Sequence, residues 1–335
     1  MRRDASVVPD RGQYPDAVTP WEQDGWREAA LGWVERQLAA HGLREAGRWT
    51  VRLRPWSVLV RIPVEEHDTV WFKANPPGSA FEGGLTEALA GWVPEHVLKP
   101  LAVDTARGWS LLPDGGPLFR DVLARGSGGP RAWEQLLRQY AEMQLALRPY
   151  TEKIELLGVP NARPAHLPEI FDSVVDRNTK LEPADRRTLR ASRPRLVDWC
   201  EELAGIGIAD SLDHSDLHEG QLFAPEPGRF TFFDWGDAAV SHPFCSLLVP
   251  ALAARARYGS DVLPRLRDAY LEPWTGSGQA PAELRRAVTL AWRLGAIGRA
   301  CSWGRLFPGT SDSAEAPEDA ESAHWLVELF AEPPL

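Results

Sequence analysis

Two hydrophobic periods divide the sequence, and their order limits what it can fold into. From Trp49 to Ala74, apolar and polar residues alternate in three short runs, WTVRL, SVLVRIPV and TVWFKA. Alternation at period two describes strands with one face on a core. Arg54-Pro55-Trp56 and the charged turn Glu65-Glu66-His67-Asp68 separate the runs, so the strands should pair antiparallel. Beyond Asp114-Gly115-Gly116-Pro117 the period changes: in RAWEQLLRQYAEMQLAL, Trp133, Leu136, Leu137, Tyr140 and Leu147 recur at helical spacing. Further helices are expected over 182–204, 243–257, 260–271, 281–300 and 321–331. At 335 residues the chain is long for one core, so two lobes are expected. The first, 1–112, would carry a leading helix from Thr19-Pro20 to Gly42, the small antiparallel sheet and one embedded helix over Ser79–Trp92. VLKPLAVD and GWSLL add two more strand-like pieces to it. The second, 113–335, would be mainly helical, which makes the fold class α+β.

Composition narrows the partners. Lys and Arg number 37 against 47 Asp and Glu, a net charge of −10, which argues against a general nucleic-acid binder. Cys200, Cys245 and Cys301 are widely spaced and form no C-x-x-C pair, so neither a disulfide framework nor a zinc site is expected. A reducing cytoplasm is the simplest compartment for such a chain. The first twenty residues hold no apolar targeting core, and no stretch reaches the ~18 apolar residues of a membrane span. The acidic stretch Ser311–Ser322 reads as a solvated loop.

One segment interrupts the helical half, DHSDLHEGQLFAPEPGRFTFFDWGD, from Asp213 to Asp237. Its apolar pieces Gln221–Ala224 and Phe230–Phe233 flank Pro225-Glu226-Pro227-Gly228-Arg229, the composition of a hairpin. Folded about Pro227, that hairpin sets Gln221 beside Phe233 and Asp234. Asp216 lies five positions before Gln221, on the loop leading in, so Asp216, Gln221 and Asp234 can converge. A few hard oxygen donors suit Mg²⁺ shared with phosphate oxygens. Asp213, His218 and Asp237 read foremost as turn and loop residues.

His214-x-Asp216-x-x-x-x-Gln221, followed by Asp234-Trp235-Gly236, resembles the catalytic-loop and D-F-G motifs of protein-kinase-like enzymes. The wording HSDLHEGQ and FFDWGDA is more specifically similar to the aminoglycoside phosphotransferase family of small-molecule kinases. The resemblance implies a bilobal protein-kinase-like fold that uses Mg²⁺ and ATP or GTP. It also implies Asp216 as catalytic base, Gln221 and Asp234 as metal ligands, and His214 as organiser of the loop. The chain departs from the family at Ser215, where Gly is usual, and at Gln221, where Asn is usual.

A kinase also needs a cation on the phosphates, and Lys73 ends the third strand where such a lysine belongs. Its orienting acid should come from the next helix. Glu87 lies within the apolar-periodic part, whereas Glu82 precedes Gly83-Gly84, which hold a helix poorly, so Glu87 is preferred and Glu82 is the alternative. No G-x-G-x-x-G is present, so backbone N–H groups of the first strand turn and the Ser57 hydroxyl would meet phosphate. Arg107–Leu112, leading into Asp114-Gly115-Gly116, resembles the family's segment between lobes whose backbone would meet the purine, which makes Leu111 and Leu112 candidate contacts. Asp234-Trp235-Gly236 runs almost directly into the apolar FCSLLVPALAARA, without an activation segment to dock a peptide. The expected acceptor is therefore a small hydroxylated molecule, an antibiotic or related natural product by the resemblance, with no nucleic-acid or membrane partner. Two other readings compete: a metal-dependent hydrolase using His214, Asp216 and His218, and a catalytically weak kinase-fold binding module.

Overall fold

The structure, a computed structural model, describes residues 8–65, 67–309 and 317–335. The chain divides into two compact units, 1–115 with 305–316, and 116–304 with 317–335.

The first unit opens with α1 (Asp24–Ala40), continues through β1 (Thr50–Arg54), β2 (Ser57–Val64) and β3 (His67–Ala74), and then α2 (Glu82–Trp92), β4 (Ala102–Asp104) and β5 (Trp109–Pro113). The five strands form one antiparallel sheet in the order β1-β2-β3-β5-β4. Alternation in β2 buries Val58, Val60, Ile62 and Val64 on one face, where Ala30, Trp33, Val34 and Leu38 of α1 share the core. Trp109 gathers Trp26, Trp33 and Phe72 at 5.6, 5.9 and 5.9 Å between ring centres, all edge-on. Trp26 is only partly buried, whereas a fully buried side chain such as Phe72 contributes about 1.5–3 kcal/mol. The turn between β1 and β2 has no glycine: Pro55 and Trp56 make it, pinned by the Phe307 N–H donating to the Pro55 carbonyl at 2.9 Å.

The second unit holds α3 (Phe119–Ala124), α4 (Pro130–Leu147), α5 (Thr151–Leu156), β6 (Asn161–Ala162), α6 (Leu167–Arg177), α7 (Pro183–Ala191) and α8 (Arg193–Gly205). Then come β7 (Ser211–Asp213), β8 (Leu222–Glu226), β9 (Arg229–Phe232), β10 (Ala239–Ser241), α9 (Leu248–Tyr258), α10 (Leu263–Leu271), α11 (Pro281–Ser302) and α12 (Pro317–Glu328). β8 and β9 form a hairpin, while β6, β10 and β7 make a second small sheet in that order. This second sheet was not expected, because strands of two or three residues carry too little periodicity to show.

Several boundaries differ from the sequence reading, including the lobe boundary, which falls at 115/116 with 305–316 in the first unit, and two have a proline as their cause. The helix expected over 182–204 is two helices that meet at Ser192; Pro194 lacks an N–H and its ring crowds the preceding turn, so it starts α8. Pro317 likewise opens α12, so Pro317–Ser322 is helical and not loop, while Ser311–Ala316 and Glu66 lie outside the described residues. No helix among the described residues is long and apolar enough to cross a membrane.

Candidate active site

Beneath the β8–β9 hairpin of the second unit lies a buried polar network. The two N–H groups of the Gln144 amide on α4 are shared among the Leu212 carbonyl at 2.9 Å, the Pro243 carbonyl at 3.1 Å and Ser246 Oγ at 3.1 Å, and its oxygen accepts from the Tyr270 hydroxyl at 2.5 Å. Ser246 Oγ donates to Asp213 Oδ1 at 2.6 Å, and Asp213 also accepts from the Ser215 N–H at 2.8 Å and Ser215 Oγ at 3.1 Å. Burial holds the Asp213 carboxyl above the usual carboxylate range, partly offset by these donors. Asp213 is thus an anchor of the loop and more than the turn residue its sequence position suggested. The anchor fixes an unusual backbone, since Ser215 sits at φ 61°. The left-handed region costs a residue with a Cβ about 1–2 kcal/mol, which is the physical reason glycine suits that position.

His214 organises the loop from the other side. Its ring is fully buried 4.6 Å from the Trp235 ring, and its Nε2 lies 2.9 Å from the Phe233 carbonyl. A carbonyl only accepts, so Nε2 carries the proton. This bond ties the loop to the end of the hairpin, and the Phe233 N–H closes the hairpin onto the Gln221 carbonyl at 3.2 Å. Asp234 follows at φ 65°, the second non-glycine residue held in the left-handed region among those described.

Asp216 is half-buried at the centre. Its Oδ2 accepts from Gln221 Nε2 at 3.3 Å, and its Oδ1 lies 3.2 Å from Arg299 Nη2. His218 Nε2 stands 3.7 Å from Oδ2, while its Nδ1 accepts the Gly220 N–H at 2.9 Å, which places the ring proton on the side facing Asp216. Burial raises the Asp216 carboxyl above its ordinary range; Arg299 opposes the rise and Asp237 adds to it. Burial also lowers the His218 imidazole, against the pull of Asp216.

The donor set fits Mg²⁺. A carboxylate cannot donate, so Gln221 must turn its NH₂ toward Asp216, which leaves the amide oxygen for a cation. With the Asp234 carboxylate this makes a sparse oxygen set of the kind that shares Mg²⁺ with phosphates. Among the described residues no group of three His, Cys, Asp or Glu is placed to hold a metal, and His214 commits Nε2 to a carbonyl. That geometry gives no support to a hydrolase built on His214, Asp216 and His218.

In the first unit, Lys73 Nζ pairs with Glu82 Oε1 at 2.7 Å, and both side chains are buried. Glu87 is exposed, so the preference for Glu87 is corrected. Gly83 holds a helix poorly by propensity, but a Cβ there would stand 2.8 Å from Val103 Cγ1, so glycine lets α2 approach the sheet and bring Glu82 to Lys73. Asn75 Nδ2, donating to Glu82 Oε2, completes the pair. Leu111 is also corrected: its side chain is in the core and its carbonyl accepts the Leu101 N–H at 2.8 Å. Leu112 is half-buried and paired with Trp71, and Ser57 is buried at the start of β2.

No family model matches the sequence, and no curated protein matches it. Solved structures do resemble the chain. An ethanolamine kinase from Plasmodium vivax shares 11% identity at TM-score 0.61, covering 92% of this chain and 89% of that one. A macrolide 2'-phosphotransferase from Brachybacterium faecium shares 18% at TM-score 0.53, covering 91% and 99%. An aminoglycoside phosphotransferase solved with GDP and kanamycin shares 15% at TM-score 0.56, covering 90% and 99%. The chain has the fold of these small-molecule kinases. On this kinase fold Asp216, Gln221 and Asp234 cluster about the hairpin, while Lys73 and Glu82 pair in the sheet unit. Arg299 and the Gln144 network escaped the sequence reading, since contacts between distant helices leave no local pattern.

Proposed function

We propose that this protein transfers the γ-phosphoryl group of a Mg²⁺-bound nucleoside triphosphate, ATP or GTP, to a hydroxyl of a small molecule. The observation that carries this reading is the convergence of Asp216 and Gln221 at the open end of the hairpin, with Asp234 at its exit. Asp216 accepts the acceptor's hydroxyl proton as that oxygen bonds the γ-phosphorus. The bond from phosphorus to the bridging oxygen breaks, and its electron pair leaves with the nucleoside diphosphate. Burial favours this role, because a base whose affinity for protons is raised takes one more readily. Gln221 Oε1 and the Asp234 carboxylate would hold Mg²⁺, which neutralises phosphate charge when bound. Lys73, oriented by Glu82, meets the phosphates as a fixed cation.

The stretch after Asp234-Trp235-Gly236 supports a small acceptor. Ala239–Ser241 is the buried middle strand of the second small sheet, and Pro243–Leu247 is buried as well. Neither can serve as a platform for a peptide, and aminoglycosides, macrolides, nucleosides and amino alcohols are the acceptors to try first. Release of nucleoside diphosphate, measured with pools of these compounds and either nucleotide, should rise when the right pool is added and stop on chelation of Mg²⁺. Turnover that no pool stimulates would contradict the reading.

A further inference from the structure

Arg299 has no part in the motifs, yet it reaches Asp216 from α11. Its side chain is only 9% exposed, with Nη2 3.2 Å from Asp216 Oδ1 and Nη1 3.1 Å from Asp237 Oδ2. Nη1 also donates to Ser302 Oγ at 3.2 Å, and the guanidinium lies 5.8 Å from the ring centres of both Trp303 and Trp325. Small residues seat the helix: a Cβ on Gly295 would stand 3.1 Å from the Cys245 carbonyl oxygen, and one on Gly298 3.9 Å from Ser215 Oγ. The helix therefore runs directly against the loop that carries Asp216.

A structural ion pair alone would need only one carboxylate. Here a planar fork joins two, and one of them is the proposed base. Arg299 faces Oδ1 as an ion-pair partner while Gln221 donates to Oδ2, so each oxygen of the Asp216 carboxylate has a partner. Oδ2 is also faced by the His218 ring proton, whereas Oδ1 keeps a lone pair for an incoming hydroxyl. We propose that Arg299 is a positioning residue for phosphoryl transfer, acting through Asp216 by fixing the orientation of its carboxylate and tying it to Asp237.

The inference rests on the phosphotransferase reading and is tested with the acceptor that the wild-type protein phosphorylates fastest. Arg299→Met should lower kcat on the order of 10²-fold, the cost of a misplaced catalytic group, and leave the KM for Mg²⁺-nucleotide within about threefold. Arg299→Lys, with one ammonium in place of a fork, should recover part of the loss. In an Asp216→Asn background, Arg299→Met should change the residual rate by less than about threefold, because the group it serves is already gone. Wild-type kcat in Arg299→Met overturns the inference, as does an equal loss in both backgrounds. If Arg299→Met fails to fold, a thermally stable Arg299→Lys with wild-type kcat overturns it instead. A wild-type protein that phosphorylates nothing overturns the phosphotransferase reading and this inference together.

Discussion

Ser215 and Asp234 are the two non-glycine residues with left-handed backbone among those described, and each stands at a carboxylate assigned to the chemistry. Such backbone persists only where its surroundings over-determine it, here the three hydrogen bonds onto Asp213 and the His214 bond to Phe233. Asp216→Asn should therefore keep the loop intact. We expect a fall in kcat of about 10²–10⁴-fold, with calorimetric binding of Mg²⁺-nucleotide retained. Near wild-type turnover would remove Asp216 from the mechanism. For the cation, Glu82→Gln should raise the KM for nucleotide about tenfold or more, since Lys73 loses its charged partner, while Glu87→Gln should match wild type. The opposite ranking would restore Glu87. That Asp216 and Gln221 meet at the hairpin was legible, because a short segment encodes both locally. The partner of Lys73 was not, because its choice depends on how closely α2 packs on the sheet.

Gly83 makes that dependence testable at the level of the element. Gly83→Ala puts a methyl group against Val103, and either the side chain or the helix must move. A loss of about 1–3 kcal/mol of stability, the usual cost of overpacking, should accompany weaker nucleotide binding as Glu82 shifts from Lys73. Denaturant unfolding and nucleotide titration would show both; unchanged stability with unchanged binding would mean α2 has slack. The turn before α9 carries a second test. Burial drives His242 down to about 3, while its Nδ1 accepts the Phe244 N–H. The unfolded chain takes up a proton near pH 6.5 and the folded one does not, so His242 favours the fold above that pH and the advantage drains away as pH falls toward 3. Stability should drop by up to about 1.4 kcal/mol per pH unit in that window from this group, and His242→Asn, which keeps an acceptor at the cap, should flatten the slope. An unchanged slope would assign the acid sensitivity elsewhere. The sheet strands and the hairpin could be read from alternation and turn residues. The second small sheet, the break at Ser192 and the reach of Arg299 could not, because non-local contacts decide them.

For the whole molecule, the net charge of −10 disfavours polyanionic acceptors, and the buried course of the chain beyond Asp234-Trp235-Gly236 offers no platform to a peptide. One kinase fold hosts many substrates, so the acceptor must be found by measurement of transfer itself. The most direct measurement is transfer of label from γ-labelled ATP or GTP, with Mg²⁺, to a panel of hydroxylated small molecules and to generic protein substrates, using wild type and Asp216→Asn side by side. At least one small molecule should gain phosphate with wild type and almost none with Asp216→Asn, and the proteins should remain unlabelled. Labelled proteins with no labelled small molecule, or equal transfer by Asp216→Asn, would contradict the central claim.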